Sequence, residues 1–265
     1  MAETGRGFGV AAGLDPEVGT ELARRCEGLG YRSTWSNDHP AASGLETAGV
    51  FQRAAGLDAG VAVLALDRHD PDSIAAKVAE EDLDTARLWV GIGAGFTKRP
   101  LDVVRNGLAA IGAAVPPPAR IAVAAMGPKM CALAGAAADG VFLNWMTPER
   151  AEWARDRVLE GARDAGREEP PTIFGYVRVA VGEDADERLL KEESFYRQLH
   201  QGYIRHFESL GVEPGTVGIA ARDPAEVQER LAAYEQVTDH IVVRGLASAN
   251  VEALARVAEA AAPAR

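Results

Sequence analysis

The chain has 265 residues, 47% hydrophobic and 25% charged, which is enough apolar material for a sizeable core and too much for wholesale disorder. A formal net charge of −11, with no cluster of Lys and Arg, argues against nucleic acid or an anionic membrane as a partner. The opening MAETGRGFGV lacks the regions of a signal peptide and no apolar run is long enough to span a bilayer, so a cytoplasmic protein acting on a small-molecule substrate is expected.

In chain order, a strand is expected at GFGVAA (7 to 12), followed by the helical DPEVGTELARRCEGLG. Cys26 falls at helical spacing with Val18, Leu22 and Leu29, which makes it a core residue. It lies far from Cys131 and neither has metal-ligand spacing, so no disulfide and no metal site is expected. The second strand, STWSN (33 to 37), runs into Asp38, His39 and Pro40. A strand leaving a packed core for a cavity reads this way, and so does a strand ending in an ordinary polar turn.

The third strand, AGVAVLAL (59 to 66), ends in Asp67, Arg68 and His69, and PDSIAAKVAEEDL follows as a helix. The fourth, RLWVGIG (87 to 93), carries glycines at 91, 93 and 95. These suit close approach of a flat ligand to the backbone, or simply a tight turn. Their spacing excludes a Rossmann fingerprint. After PLDVVRNGLAAIG, the fifth strand RIAVAAM (120 to 126) meets Gly127 and a helix opening at Pro128. That junction is either a phosphate-binding helix N-terminus or a well-formed turn.

GVFLNW (140 to 145) is the sixth strand, ending in Asn144 and Trp145, and a helix opens at TPERAEW. TIFGYVRVAV (172 to 181) is the seventh and HIVVRG (240 to 245), with Arg244, the eighth. Between them lie a long helical stretch, DADERLLKEESFYRQLHQGYIRHFESLG, and DPAEVQERLAAYEQV. Tyr196, His200, Tyr203 and Phe207 recur at i, i+4, i+7 and i+11, as a packing stripe or as a lid.

Eight strand–helix units, several with strands apolar on both faces, predict a closed (β/α)8 TIM barrel with a helical insertion between strands seven and eight; an open doubly wound sheet is the competing arrangement. Residues 1 to 265 are expected to form a single domain, with 184 to 238 as insertion and lid. His39, at the end of strand two, is the candidate catalytic residue because an imidazole exchanges a proton near neutral pH; a turn histidine is the plain alternative.

NDHP after strand two, VLALDRHDP after strand three, GIGAG, AAMGPK and ADGVFLNWMTPE occur in this order, and with them the chain resembles the luciferase-like monooxygenase superfamily over residues 7 to about 260. More narrowly it resembles the coenzyme F420-dependent oxidoreductases. The resemblance implies F420, with FMN as the alternative, lying across the barrel mouth near strands two to four. His39 would stand beside the ring, and Asp38, Ala62, Val63, Gly91, Gly93, Ala94, Ala125, Met126 and Gly127 would contact the cofactor.

It also implies a non-proline cis peptide between Ala62 and Val63, phosphate contacts at Met126 and Gly127, and hydride transfer to or from a small organic substrate. An FMN-dependent monooxygenase and a non-catalytic flavin-binding barrel are the competing readings, and a homodimer is compatible with all three. Two departures matter. Related sugar-phosphate dehydrogenases carry a glutamate where this chain has Ala94, and related pterin reductases carry one in strand one, where this chain has Val10, Ala11 and Ala12. Neither chemistry is transferable, which leaves His39, Asp67 or the substrate itself to handle the proton.

Overall fold

The computed structural model describes residues 5–264. The first half alternates β1 (Gly5–Ala11), α1 (Pro16–Gly28), β2 (Ser33–Asn37), α2 (Gly44–Ala54), β3 (Asp58–Ala65), α3 (Pro71–Glu80), β4 (Leu88–Gly93) and α4 (Pro100–Ala114). The second runs β5 (Arg120–Ala125), α5 (Pro128–Ala137), β6 (Gly140–Asn144), α6 (Pro148–Asp164), β7 (Thr172–Val181), α7 (Ala185–Leu199), α8 (Gln201–Leu210), β8 (Ile219–Ala221), α9 (Pro224–Glu235), β9 (His240–Gly245) and α10 (Val251–Ala260).

Strands β1 to β7 pair in sequence, and β9 pairs with both β7 and β1, so eight parallel strands close into a TIM barrel. The open doubly wound sheet is thereby excluded. Beyond the eight expected barrel strands there is a ninth, β8, which extends only the last three residues of β7. Three residues are too few to carry a readable period.

Four helices begin with the same local device. Asp15, Asp70, Thr147 and Asp223 cap α1, α3, α6 and α9 with a side-chain oxygen that accepts a backbone N–H, and each is followed by proline at the first helical position. Proline has no N–H to leave unsatisfied there, so the two residues together mark the helix start. Cys26 is fully buried in the layer between barrel and helices, where burial pushes its thiol far up.

The insertion departs from expectation. Residues 184 to 211 do not form one helix, because His200 takes an extended conformation (φ −161°, ψ 153°) between α7 and α8. Its Nδ1 accepts the Gly202 N–H at 3.0 Å, which caps α8 and starts a new axis. Helix α9 packs against α6 and α10 in the outer layer, so the segment lying outside the regular barrel is α7–α8 with β8. No helix among the described residues is long and apolar enough to cross a membrane.

The barrel's N-terminal half is plugged by aromatic rings. Trp35, fully buried, lies 4.9 Å from Phe142 and 5.3 Å from Phe174 between ring centroids, both in edge-on geometry. Beneath this plug, Trp35 Nε1 donates to Ser33 Oγ at 2.8 Å, and Ser33 Oγ lies 2.9 Å from His240 Nε2. The hydroxyl oxygen has two lone pairs, so after accepting from the indole it still bonds Nε2 in either tautomer of the ring.

Burial and then the Arg32 charge push the His240 imidazole down to about 4. Its unfolded-state value near 6.5 is higher, so the unfolded chain binds the extra proton first, and stability present above that value is lost as pH falls toward 4. The ring keeps some solvent contact, so the expected loss is about 2 kcal/mol between pH 7 and 4.5, discounted from the full linkage figure. Urea denaturation at both pH values, in the protein and in His240→Gln, measures it. An equal pH dependence in the two proteins would assign the loss to other groups.

Candidate functional site

A cavity of about 1140 Å³ opens at the C-terminal ends of the strands, roofed on one side by α7 and α8. This is the end at which barrels of this type place their chemistry, and the volume is at the upper end for a single small ligand, leaving room for a cofactor and a substrate together. Asn37, His39, Val63, Gly127, Tyr176 and Arg178 are among its walls.

His39 stands on the wall because the chain turns back immediately after it. His39 and Ala42 exchange backbone hydrogen bonds of 3.3 and 3.0 Å around Pro40 and Ala41, and Pro40 presets the turn. The imidazole Nε2 lies 3.2 Å from the Ala12 carbonyl and must donate to it, while Nδ1 accepts the Ala41 N–H at 3.3 Å. Both hydrogen bonds are long, and neither locks the ring.

Asp38 serves differently from its neighbour. Its side chain is only 2% exposed, and its oxygens accept from the Gly44 N–H at 3.0 Å, Arg68 Nη2 at 2.8 Å and His69 Nε2 at 2.9 Å. The carboxylate ties the loop after β2 to the loop after β3. Asp38→Asn is expected to cost roughly 1–3 kcal/mol, the usual value of hydrogen bonds to a charged group, with Arg68 and His69 partly recovering solvent. A change below about 0.5 kcal/mol in chemical denaturation would show that the two loops hold together without it.

On β3 the pairing with β4 slips between Val61 and Leu64, and the Ala62–Val63 peptide is cis. Ala62 and Val63 both line the cavity. Gly91 does not. A Cβ there would lie 2.1 Å from the Val61 carbonyl oxygen, so this glycine makes room for the irregular neighbouring strand and not for a ligand. Ala125 is likewise buried in the outer core, facing away from the cavity. Gly93, Ala94 and Met126 are wall residues, as expected.

Gly127 is the N-cap of α5, without any side-chain cap, and a Cβ built on it meets nothing within 4 Å. The empty space beside a helix N-terminus is what an approaching phosphate needs. On the opposite side, Tyr176 on β7 donates its hydroxyl to Asn37 Oδ1 at 2.9 Å, and burial pushes that hydroxyl up to about 12. Two positions further along β7, Arg178 lies over the Trp145 ring at 3.8 Å and donates to Asn144 Oδ1.

Tyr176 and Arg178 escaped the sequence reading. The signal was present: in TIFGYVRVAV the polar residues fall at the same parity as Phe174, which is the lumen face.

The aromatic residues of the insertion meet although they stand on two helices. Tyr196 and Tyr203 rings are 5.2 Å apart, and Tyr196 and Phe207 pack on Trp145 at 5.1 and 5.5 Å. His206 Nε2 reaches the Trp145 carbonyl at 2.6 Å and fastens α8 to the end of β6. His200 belongs elsewhere. Its ring stacks on the exposed Phe96 at 4.8 Å, linking the hinge of the insertion to the loop after β4.

A closed parallel barrel with a large cavity at its C-terminal mouth, apolar at the centre and basic at several edges, has the form of a barrel with its ligand site at the strand ends. Residues 99–262 match the luciferase-like monooxygenase family, and the chain belongs to it. It is therefore an oxidoreductase of the flavin- and F420-dependent class. No curated protein matches its sequence.

Solved structures share the fold at low identity. The F420-dependent tetrahydromethanopterin reductase of Methanopyrus kandleri is 17% identical with a TM-score of 0.74, over 98% of this chain and 97% of that one. An F420-dependent secondary alcohol dehydrogenase in complex with an F420–acetone adduct is 17% identical with a TM-score of 0.76, over 98% and 99%. The oxygenating constituent of 3,6-diketocamphane monooxygenase from Pseudomonas putida, in complex with FMN, is 13% identical with a TM-score of 0.65, over 98% of each chain.

Proposed function

We propose that the protein transfers a hydride between coenzyme F420 and a small organic substrate. The observation that carries this reading is the pairing, across one cavity, of the open position beside Gly127 at the start of α5 with the wall formed by His39, Ala62 and Val63. The first suits the phosphate end of a long cofactor and the second the edge of its ring. Bound there, a deazaflavin would supply two-electron chemistry at its C5.

The residues of the chain do the rest. Gly127 and the first turn of α5 receive the phosphate, and the Asp38 ties to Arg68 and His69 hold the ring-side loops in register. His39 stands where it can hold or give up a proton as the substrate gains or loses hydride. The α7–α8 pair and the Phe96–His200 contact limit water access from above.

Titration of the purified protein with F420 and with FMN, each followed by its own visible absorption, tests the cofactor. Tighter binding of F420 supports the proposal. Exclusive binding of FMN assigns the protein to the oxygen-using members of its family, and binding of neither removes the site. Turnover with a panel of alcohols, aldehydes and enones then separates an enzyme from a barrel that only stores a flavin.

A further inference from the structure

We infer that Arg178, together with Asn144, receives an oxyanion carried by the substrate, a carboxylate or a phosphate, with Arg244 on the adjoining strand adding its positive charge from behind the cavity wall. This rests on the reading of the cavity given above and adds the chemical class of the second ligand.

Arg178 is 2% exposed, yet it belongs to the cavity wall. Among the described residues no carboxylate pairs with it. Its hydrogen bond goes to the neutral Asn144 amide, and its Nε has no partner. Arg244 stands beside it in the β7–β9 register, and its Nε is also without a partner. Both side chains share the lumen parity of Tyr176 and Val242. Two like charges side by side on one face of a sheet repel each other, and a buried cation without a counter-ion is costly. The arrangement is therefore incomplete without an anion.

None of the described neighbours forms an ion pair with Arg178. Tyr176 and Tyr203 are both held neutral, their hydroxyls pushed up to about 12 by burial. Glu192 on α7 influences Tyr176 only by its charge and forms no ion pair with Arg178.

The rest of the corner is built to hold the guanidinium still. Its carbon lies 3.8 Å from the ring centroid of Trp145, whose own Nε1 is buried without a partner and whose φ of 54° is strained for a bulky residue. A planar guanidinium fixed in this way presents a fork that matches a carboxylate or phosphate. The proposed place of the cofactor's phosphate is Gly127 at the start of α5, so an anion on the β6–β7 side belongs to the other ligand.

The test titrates the cofactor-free protein with benzoate and with inorganic phosphate, read by thermal melting and by tryptophan fluorescence. Wild type is expected to bind at least one of them, and the stronger of the two identifies the group. Arg178→Met should weaken that binding roughly 10- to 100-fold, the usual worth of a charge-assisted contact, while F420 or FMN affinity stays nearly unchanged.

Asn144→Asp places a permanent carboxylate beside the guanidinium. It should raise the melting temperature and abolish anion binding, which controls for any folding defect in Arg178→Met. Equal anion binding in wild type and Arg178→Met, or no binding by wild type at millimolar anion, overturns the inference. So does loss of cofactor affinity in Arg178→Met with anion binding intact. Failure of the functional reading shows separately, as wild-type protein that binds neither cofactor.

Discussion

Replacing His39 by Ala or Asn is expected to lower turnover about 10²- to 10⁴-fold, the typical contribution of a general acid or base, while changing cofactor affinity little. The expectation follows from how the ring is held. The turn through Pro40 returns the chain to Ala42, which leaves the imidazole on the cavity wall and ties both nitrogens to backbone groups at 3.2 and 3.3 Å. Bonds of that length give way to a substrate oxygen at small cost, and the ring needs no other movement to take part in proton transfer. The other imidazoles are committed elsewhere: His200 caps α8 and stacks on Phe96, His206 is fastened to the Trp145 carbonyl, and His69 is engaged by Asp38. Steady-state rates across pH 5 to 9 measure the effect. A variant as fast as the parent throughout would make His39 a wall residue and move the search to Asp67, whose carboxylate also borders the cavity.

Gly127→Val is expected to weaken cofactor binding roughly 10- to 100-fold, from the usual cost of forcing extra methyl groups into an occupied space. The protein itself should tolerate the change. The backbone at Gly127 has φ −105° and ψ 161°, an extended conformation open to any residue, and a Cβ there touches no protein atom within 4 Å. The cost to the fold is limited to a poorer N-cap on α5. Cofactor titration together with a melting curve decides it. Unchanged affinity in a folded Gly127→Val would show that the empty space beside α5 does not hold the phosphate end.

Gly91 shows why a glycine is hard to interpret from sequence. It and Gly127 look alike as glycines in or just after a strand, yet a Cβ on the first would lie 2.1 Å from the Val61 carbonyl oxygen and a Cβ on the second meets nothing within 4 Å. The difference lies in the slipped β3–β4 register, a relation between two strands that neither strand's residues announce. The insertion teaches the same lesson at larger scale. The spacing of Tyr196, His200, Tyr203 and Phe207 fits one helical face, and an extended residue at His200 divides that face between two helices. The aromatic rings gather on Trp145 even so, because burying them needs proximity and not a shared axis.

By itself the sequence determined what is periodic or local. Apolar runs marked the eight barrel strands, Asp-Pro and Thr-Pro pairs marked helix starts through capping and a preset φ, and the dense polar segment from Asn37 to His39 marked the end of a strand. Only the tertiary structure decided how these ends combine. It made Asp38 a brace for Arg68 and His69 and faced His39 into the cavity. It turned Gly91 and Ala125 away from the cavity and brought Arg178 beside Arg244, from segments more than sixty residues apart. The physical reason is that hydrogen bonding and charge act through space between strands whose register is set by barrel closure. Sequence periodicity reports only which face of its own strand a residue occupies.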